Sequence, residues 1–374
     1  MNWETRINLL SLVMQAGYPP VILWGPPGVG KTSVVKQLAN LLGMEVIIVI
    51  ASSKDPADVL GIDWVSDGMT QKFPPRWATL ANRFAEEGKR SVVFLDEITT
   101  APQMVQNVLL SVVQDRLVGE TKIDERAYII AAGNYSSVTG ESLSQALANR
   151  FLHLTWDYDR KGFISYLNGE DNVEKYILEV NPNRDMKYKT LKEYLALYIE
   201  FVKDIGLCEP QEEEFKSKPY PSPRSLEIML KALSLVPDDG DYTELENLIA
   251  RSAVGPEGVG FLTWLRRRKE IPPVEELLFN NVELPKGRTD LAVMIIKILY
   301  NFLLKNNSDE VWDAVFKFVD KFVDSYIELT VILADALKKA YQETRGASGA
   351  FDIRFIKSKL GVVMSKIGYF ARGV

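Results

Sequence analysis

The stretch LWGPPGVGKTS at residues 23–33 places three glycines, two prolines, a lysine and two hydroxyl side chains directly after a short apolar run. The spacing Gly25-x4-Gly30-Lys31-Thr32 satisfies the phosphate-binding loop (P-loop) pattern, and it stands between a predicted strand and a predicted helix, as the pattern requires. In such a loop the backbone N–H groups point into one concavity, and the helix N-terminus adds positive potential. We therefore expect Lys31 to reach the β- and γ-phosphates of a nucleotide and Thr32 to bind Mg²⁺.

The whole loop is the predicted nucleotide-binding segment. Its residues are Gly25, Pro26, Pro27, Gly28, Val29, Gly30, Lys31, Thr32 and Ser33. The alternative is a glycine-rich turn that carries a lysine by chance. The strand expected before the loop and the helix expected after it favour the phosphate site.

Short apolar runs alternate with helical patterns along residues 21–156. Five of the runs have the pattern of strands: VILW, EVIIVIAS, SVVFLD, AYIIAAGN and FLHLTW. Strands separated by helices imply a parallel sheet with right-handed crossovers. The sequence therefore predicts an α/β fold of the P-loop NTPase type, with a parallel five-stranded sheet flanked by helices.

Beyond residue 156 the strand pattern fades and the chain becomes mainly helical in pattern. We expect the chain to divide into three domains. They are an α/β nucleotide-binding domain at residues 1–158, an α-helical lid at 159–258 and a helical C-terminal extension at 259–374.

Two insertions, residues 55–77 and residues 116–126, break the alternation of strands and helices. In the first, GIDWVSDGMTQKF has the pattern of a hairpin around Asp67 and Gly68. The second, RLVGETKIDER, predicts another hairpin before the fourth strand. Three apolar side chains of the first insertion are expected to be exposed and to offer a grip on protein: Trp64, Met69 and Phe73.

Polar residues follow two of the predicted strands at the edge where parallel α/β sheets bind ligands. Asp96 and Glu97 end the run VVFLDE, and Asn134 ends the run IIAAGN. Asp96 is suited to the Mg²⁺ shell, and Glu97 to polarising an attacking water as a general base. The Asn134 amide is suited to orienting the same water. The alternative for Asp96 and Glu97 is a pair of ordinary surface acids at the end of a strand. The alternative for Asn134 is a turn residue or a helix cap.

Two arginines are candidates for stabilising charge on the γ-phosphate. Arg150 stands at the end of a short predicted helix, in ALANRF, where its guanidinium resembles an arginine finger. Arg224 opens a helix in the helical region, just after the N-cap Ser222 and Pro223. From there it is expected to reach nucleotide. The alternative for each arginine is a surface salt bridge.

Composition excludes several classes of site. The chain of 374 residues has one histidine and one cysteine, so a His-rich zinc site and an intrachain disulfide are both excluded. A net charge of −6 makes a dedicated nucleic-acid binder unexpected. The longest apolar segment, residues 291–304, is interrupted by Lys297 and Asn301 and is too short to span a bilayer. We expect a cytoplasmic protein without membrane insertion.

The order GPPGVGKT, VVFLDE, IIAAGN, LANRF and SPR resembles the AAA+ ATPases, and the insertions resemble those of the MoxR family. The resemblance covers roughly residues 1–250. It implies that the glycine loop is Walker A, and that Asp96 and Glu97 are Walker B. It also implies that Asn134 is sensor 1, Arg150 the arginine finger and Arg224 sensor 2.

The same resemblance implies a ring, usually a hexamer, that uses ATP and Mg²⁺ to remodel or mature a protein partner. That partner is often accompanied by a von Willebrand factor A-domain protein. A nucleic-acid motor or loader is the main alternative, and it would need a basic pore surface. The first insertion argues against one, because Asp55, Asp58, Asp63 and Asp67 outnumber Lys54, Lys72 and Arg76. A nucleotide-gated scaffold without hydrolysis is disfavoured by Glu97 and Asn134.

Overall fold

The structure is a computed structural model in which the chain folds into two compact units, Met1–Leu262 and Thr263–Val374. The boundaries predicted near residues 158 and 258 stay predictions. The structure describes residues 2–66, 69–135, 143–169, 173–201, 217–280, 282–284, 287–345 and 357–366.

A five-stranded parallel sheet forms the centre of the first unit, with the strand order β2-β5-β8-β1-β9. Its strands are β1 (Val21–Trp24), β2 (Met44–Ile50), β5 (Arg90–Asp96), β8 (Ala127–Gly133) and β9 (Leu152–Thr155). All residues of β1 and β8 are buried, because helices cover both faces of a parallel sheet. The predicted α/β fold with five parallel strands is confirmed.

Both predicted hairpins are present in the first unit. One pairs β3 (Ile62–Ser66) with β4 (Met69–Phe73), and the other pairs β6 (Leu117–Val118) with β7 (Thr121–Lys122). The predicted turn at Asp67 and Gly68 lies outside the described residues. The first hairpin begins after Gly61, whose φ of 93° suits glycine.

Helices surround the sheet and continue through the rest of the first unit. They are α1 (Trp3–Ala16), α2 (Lys31–Leu41), α3 (Pro56–Leu60), α4 (Arg76–Glu86), α5 (Gln103–Asp115), α6 (Gln145–Ala148), α7 (Arg160–Leu167), α8 (Arg184–Phe201), α9 (Pro223–Leu235) and α10 (Thr243–Val254). Helix α9 starts as predicted, because the Ser222 hydroxyl accepts from the Ser225 N–H and Pro223 takes the first helical position. The N-cap of α5 is Pro102, whose φ of −52° and ψ of 145° are not helical.

The remaining helices are α11 (Pro256–Lys269), α12 (Val274–Phe279), α13 (Thr289–Lys305), α14 (Asp309–Ser325), α15 (Thr330–Arg345) and α16 (Lys359–Lys366). Short 3₁₀ segments are Ala51–Ser53, Val173–Tyr176 and Ile327–Leu329. The aromatic run of α14 is a packing face, with Trp312 and Phe322 buried. None of the helices within the described ranges has both the length and the apolar character that a membrane span requires.

Candidate functional site

The glycine loop joins β1 to α2 at the carboxyl edge of the sheet, and its glycines are needed for two different reasons. Gly28 and Gly30 have φ values of 82° and 89°, in the left-handed region that favours glycine. A Cβ on Gly25 would lie 2.1 Å from the carbonyl oxygen of Trp156, the residue after β9. The loop is therefore packed against the end of β9 as closely as a backbone without a side chain allows.

Lys31 spans the loop. Its Nζ donates to the carbonyl oxygens of Gly25 at 2.7 Å and Pro26 at 3.1 Å, and to Oδ1 of Asn134 at 2.9 Å. Burial lowers the pKa of Lys31, while attraction to Asp96 and Glu97 opposes that change. An ammonium held by neutral acceptors beside two acids is suited to receiving the negative charge of phosphate.

Thr32 and Asp96 lie together beside the lysine, and the Thr32 hydroxyl donates to Oδ2 of Asp96 at 3.0 Å. A hydroxyl and a carboxylate are the hard oxygen donors that Mg²⁺ prefers. Within the described ranges, no group of three or more His, Cys, Asp and Glu side chains could hold a metal ion by itself. This donor pair fits Mg²⁺, which usually takes one or two protein carboxylates and completes its shell with phosphates and water.

Glu97 follows Asp96 with a left-handed backbone, at φ 55°, which is uncommon for a residue with a side chain. This turn carries the chain away from β5 and leaves the Glu97 side chain exposed. Its Oε2 accepts a short hydrogen bond from the hydroxyl of Ser52. Ser52 lies just past the end of β2, the neighbour of β5, where Ile50 is paired with Asp96.

Ser52 is a site residue that the sequence analysis did not single out. The pairing of β2 with β5 could have identified it, because the residues just past the ends of two aligned strands become neighbours. That alignment requires the register, which the apolar pattern of two fully apolar runs does not fix.

Asn134 follows β8 and completes the group of five predicted residues. Together with the loop it lines a pocket of about 320 Å³. The lining residues are Pro27, Gly28, Val29, Gly30, Lys31, Thr32, Ser33, Asp96, Glu97, Ala132 and Asn134. The structure therefore brings Lys31, Thr32, Asp96, Glu97 and Asn134 to one place, while Gly25 and Pro26 contribute through their carbonyls to Lys31.

Arg150 lies at the opposite edge of the sheet. It precedes β9, whose first residue Leu152 is paired with Val21 at the start of β1, whereas the glycine loop follows the end of β1. Four strand residues separate the two edges, a distance of about 13 Å. The Arg150 Nε donates to Oε1 of Gln114, at the C-terminal end of α5, at 2.8 Å.

Arg224 is the neighbour of Arg150. It is exposed in the first turn of α9, and the Ser222 hydroxyl at the start of that helix donates to Oδ1 of Asn149 at 2.9 Å. Burial and then repulsion from Arg224 lower the pKa of Arg150. The two predicted arginines are thus close to each other, and neither lines the phosphate pocket of its own chain.

His153, the only histidine of the chain, contacts the residue that precedes the glycine loop. Nε1 of Trp24, the residue before Gly25, donates to Nδ1 of His153 at 3.0 Å, and Nε2 of His153 lies 2.8 Å from the Ala148 carbonyl oxygen. Because Nδ1 accepts, Nε2 carries the proton and the ring is neutral. Burial lowers the pKa of His153 to about 4, which agrees with a neutral ring.

Part of the chain is similar to a known protein family. Residues 20–151 match the family described as AAA domain (dynein-related subfamily). Among solved structures, a full-length MCM homolog from Methanopyrus kandleri is similar with a TM-score of 0.37 and 16% identity. The similarity covers 67% of this chain and 54% of that chain, about half of its length. The glycine loop, the acids after β5 and the asparagine after β8 all lie within the residues that match this AAA domain family.

Proposed function

We propose that the chain hydrolyses ATP with Mg²⁺ in a ring of identical subunits and uses the cycle to remodel or mature a protein partner. The observation that carries the proposal is the meeting of Lys31, Thr32, Asp96, Glu97 and Asn134 at one pocket. A P-loop supplies nucleotide binding. The carboxylate of Glu97, which is not one of the two side chains assigned to Mg²⁺, supplies a base for hydrolysis.

Each of these residues has a distinct part in the reaction. Lys31 turns from the loop carbonyls and Asn134 to the β- and γ-phosphates, and Thr32 and Asp96 hold Mg²⁺. Mg²⁺ held by these two side chains would supply positive charge that offsets the negative charge of the phosphates. Glu97 accepts a proton from water as the new O–P bond forms and the bond to the β–γ bridging oxygen breaks, which releases ADP and phosphate. Asn134, freed from Lys31, orients that water.

The position of Arg150 and Arg224 supports a ring. The two arginines lie at the edge of the sheet opposite their own phosphate pocket, so a guanidinium from this pair serves the pocket of a neighbouring subunit. A head-to-tail contact of this kind is heterologous, and such contacts form a ring when the rotation between neighbouring subunits closes. Arginines supplied in this way contribute about 10³–10⁵ in rate in GTPases.

The first hairpin supports a protein partner. Its register places Ile62, Trp64, Met69 and Phe73 on one face, each 61–71% exposed, while Asp63 and Lys72 form an ion pair on the other face at 2.8 Å. We name these four side chains the apolar hairpin face. Exposed apolar faces of this kind mark protein contacts. A grip on nucleic acid would instead need unpaired cations there.

Finer features of the proposal follow from the resemblance given above. They are a MoxR-like, chaperone-like role, a hexameric ring, a von Willebrand factor A-domain protein as an associated partner and a cytoplasmic location. Purification of the chain with a slowly hydrolysed ATP analogue, followed by electron microscopy and identification of co-purifying proteins, tests the ring and the partner together.

The central experiment compares two variants of the pocket. Lys31→Ala should lose ATP binding, because the lysine is the cation that faces phosphate. Glu97→Gln should keep ATP binding and lose turnover, because it keeps the shape of the side chain and removes the base. Nucleotide binding and phosphate release are measured for both. Hydrolysis by Glu97→Gln at the wild-type rate would show that Glu97 is not the base.

A further inference from the structure

Thr99 links the acid-bearing turn after β5 to the end of β8. After Glu97 the chain crosses to its neighbour strand, where the Ile98 N–H donates to the Ala132 carbonyl oxygen at 3.0 Å. Thr99 is the next residue and is only 1% exposed. Its Oγ1 accepts the backbone N–H of Asn134 at 3.2 Å. The hydroxyl therefore fixes the residue whose side chain holds Lys31 in the pocket.

The methyl group of Thr99 makes a second contact at the same place. A Cβ on Gly133 would lie 2.6 Å from Cγ2 of Thr99 and 3.3 Å from the Trp24 ring. Gly133 is thus the residue whose missing side chain leaves room for the Thr99 methyl. One side chain touches both residues at the end of β8, through its hydroxyl on Asn134 and through its methyl on Gly133.

We propose that Thr99 is a positioning residue for ATP hydrolysis. It holds the Asn134 amide at a fixed place relative to Glu97, which precedes Thr99 by two residues in the sequence. The inference rests on the proposed function, since it assigns Thr99 to the reaction of that pocket. Thr99 does not line the pocket, so it acts through Asn134 and not on nucleotide. A small displacement of a water-orienting group is expected to slow the chemical step more than it weakens substrate binding.

The test compares two substitutions that divide the side chain. Thr99→Val keeps its shape and removes the hydroxyl, while Thr99→Ser keeps the hydroxyl and removes the methyl. We expect Thr99→Val to lower kcat about tenfold or more with KM for ATP within about twofold, and Thr99→Ser to stay near the wild type. A purely structural role reverses the order, because the buried methyl matters more to packing and Thr99→Ser would then have the lower Tm and the lower activity.

Besides that reversed order, three outcomes would overturn the inference: wild-type kcat in Thr99→Val, equal losses in the two variants, or loss of ATP binding in parallel with kcat. The proposed function is tested separately by Glu97→Gln. If turnover is lost in Glu97→Gln but is normal in Thr99→Val, the proposed function stands and only the role of Thr99 is wrong. If turnover is normal in Glu97→Gln, the assignment of Glu97 as the base is wrong.

A second pair of variants decides the matter if Thr99→Val does not fold. Gly133→Ala places a methyl against the Thr99 methyl and should displace Asn134, so that kcat falls with little change in ATP binding. Adding Thr99→Ser removes the clashing group and should restore part of the lost kcat. No recovery in a folded double variant, as judged by circular dichroism, would show that the contact between residues 99 and 133 does not set the position of Asn134.

Discussion

The hydroxyl of Ser52 donates a hydrogen bond to the carboxylate of Glu97, across the ends of two neighbouring strands. The proposed base is therefore engaged by a protein donor in this state. The Glu97 oxygen that accepts this hydrogen bond is occupied by the protein and is less available to water. If Glu97 is the base, as proposed, we expect Ser52 to release it or to share it with water during hydrolysis.

Replacement of Ser52 by alanine should raise the basal ATPase rate. Loss of the hydroxyl frees the Glu97 oxygen for water, and a net hydrogen-bond contribution of about 0.5–1 kcal/mol corresponds to a rise of about two- to fivefold. Steady-state phosphate release without any partner protein measures the change.

Ser53→Ala is the matched control, because the Ser53 hydroxyl donates to the Ile50 carbonyl oxygen and not to Glu97. It should leave the basal rate unchanged. A fall in Ser52→Ala as deep as that in Glu97→Gln would mean that Ser52 holds Glu97 in its working position.

Arg150 should act on the pocket of a neighbouring subunit. Arg150→Ala and Lys31→Ala should each be inactive, the first with nucleotide binding mostly kept. A mixed ring pairs the intact pocket of one variant with the intact arginine of the other, so mixing should restore part of the ATPase activity. Activity of the wild type should also rise more than linearly with protein concentration through the assembly range.

Two outcomes would contradict action of Arg150 on a neighbouring subunit. Mixed assembly shown by two affinity tags, with no recovery of activity, would argue against action in trans. Full activity of a monomeric wild-type fraction would argue the same way.

The fold was predictable because its signals are local. Five apolar runs, each bounded by glycine, acid or asparagine, predict five strands, and strand ends then place Lys31, Asp96 and Asn134 at a common edge. The two hairpins followed from turn residues between alternating segments.

The other contacts of the site depend on register and long-range packing. Ser52 and Thr99 are short polar side chains, of a kind common in loops, and only the alignment of β2, β5 and β8 brings them to Glu97 and Asn134. Arg224 approaches Arg150 beside the Ser222–Asn149 hydrogen bond, which joins residues 73 positions apart. Neither apolar periodicity nor capping patterns report such pairs.

The apolar hairpin face should be required for stimulation by protein but not for basal hydrolysis. Trp64→Ala should abolish most of the stimulation by a permanently unfolded protein, such as reduced and carboxymethylated α-lactalbumin. Because the side chain is 65% exposed, its loss should change the free energy of unfolding by only about 0.5 kcal/mol. Replacing residues 61–75 by a Gly-Ser link should have the same effect on stimulation.

Val65 provides the matched control, since it is adjacent, 68% exposed and on the opposite face of the hairpin. Val65→Ala should keep the stimulation of the wild type. Equal stimulation of Trp64→Ala and the wild type would show that the apolar hairpin face is not required. Equal loss in Trp64→Ala and Val65→Ala would show that both faces of the hairpin contribute.

Acid should weaken the first unit through His153. The pKa of this buried ring is lowered to about 4, from 6.5 in an unfolded chain, so the unfolded state binds the proton first as pH falls. The stabilisation is therefore complete above pH 6.5 and is lost as pH falls towards 4. A shift of this size corresponds to about 3 kcal/mol in the free energy of unfolding. Urea unfolding between pH 7 and pH 4 measures it.

His153→Phe removes the titrating group and keeps a planar ring, so it isolates this contribution. The variant should be less stable at pH 7 by about 1–3 kcal/mol, because the Trp24 N–H loses its acceptor, but its stability should vary less with pH. With one histidine in the chain, the imidazole NMR signal reports the pKa without overlap. A ring that titrates near pH 6.5, or equal pH dependence in the two proteins, would show that His153 is not held neutral by burial beneath the glycine loop.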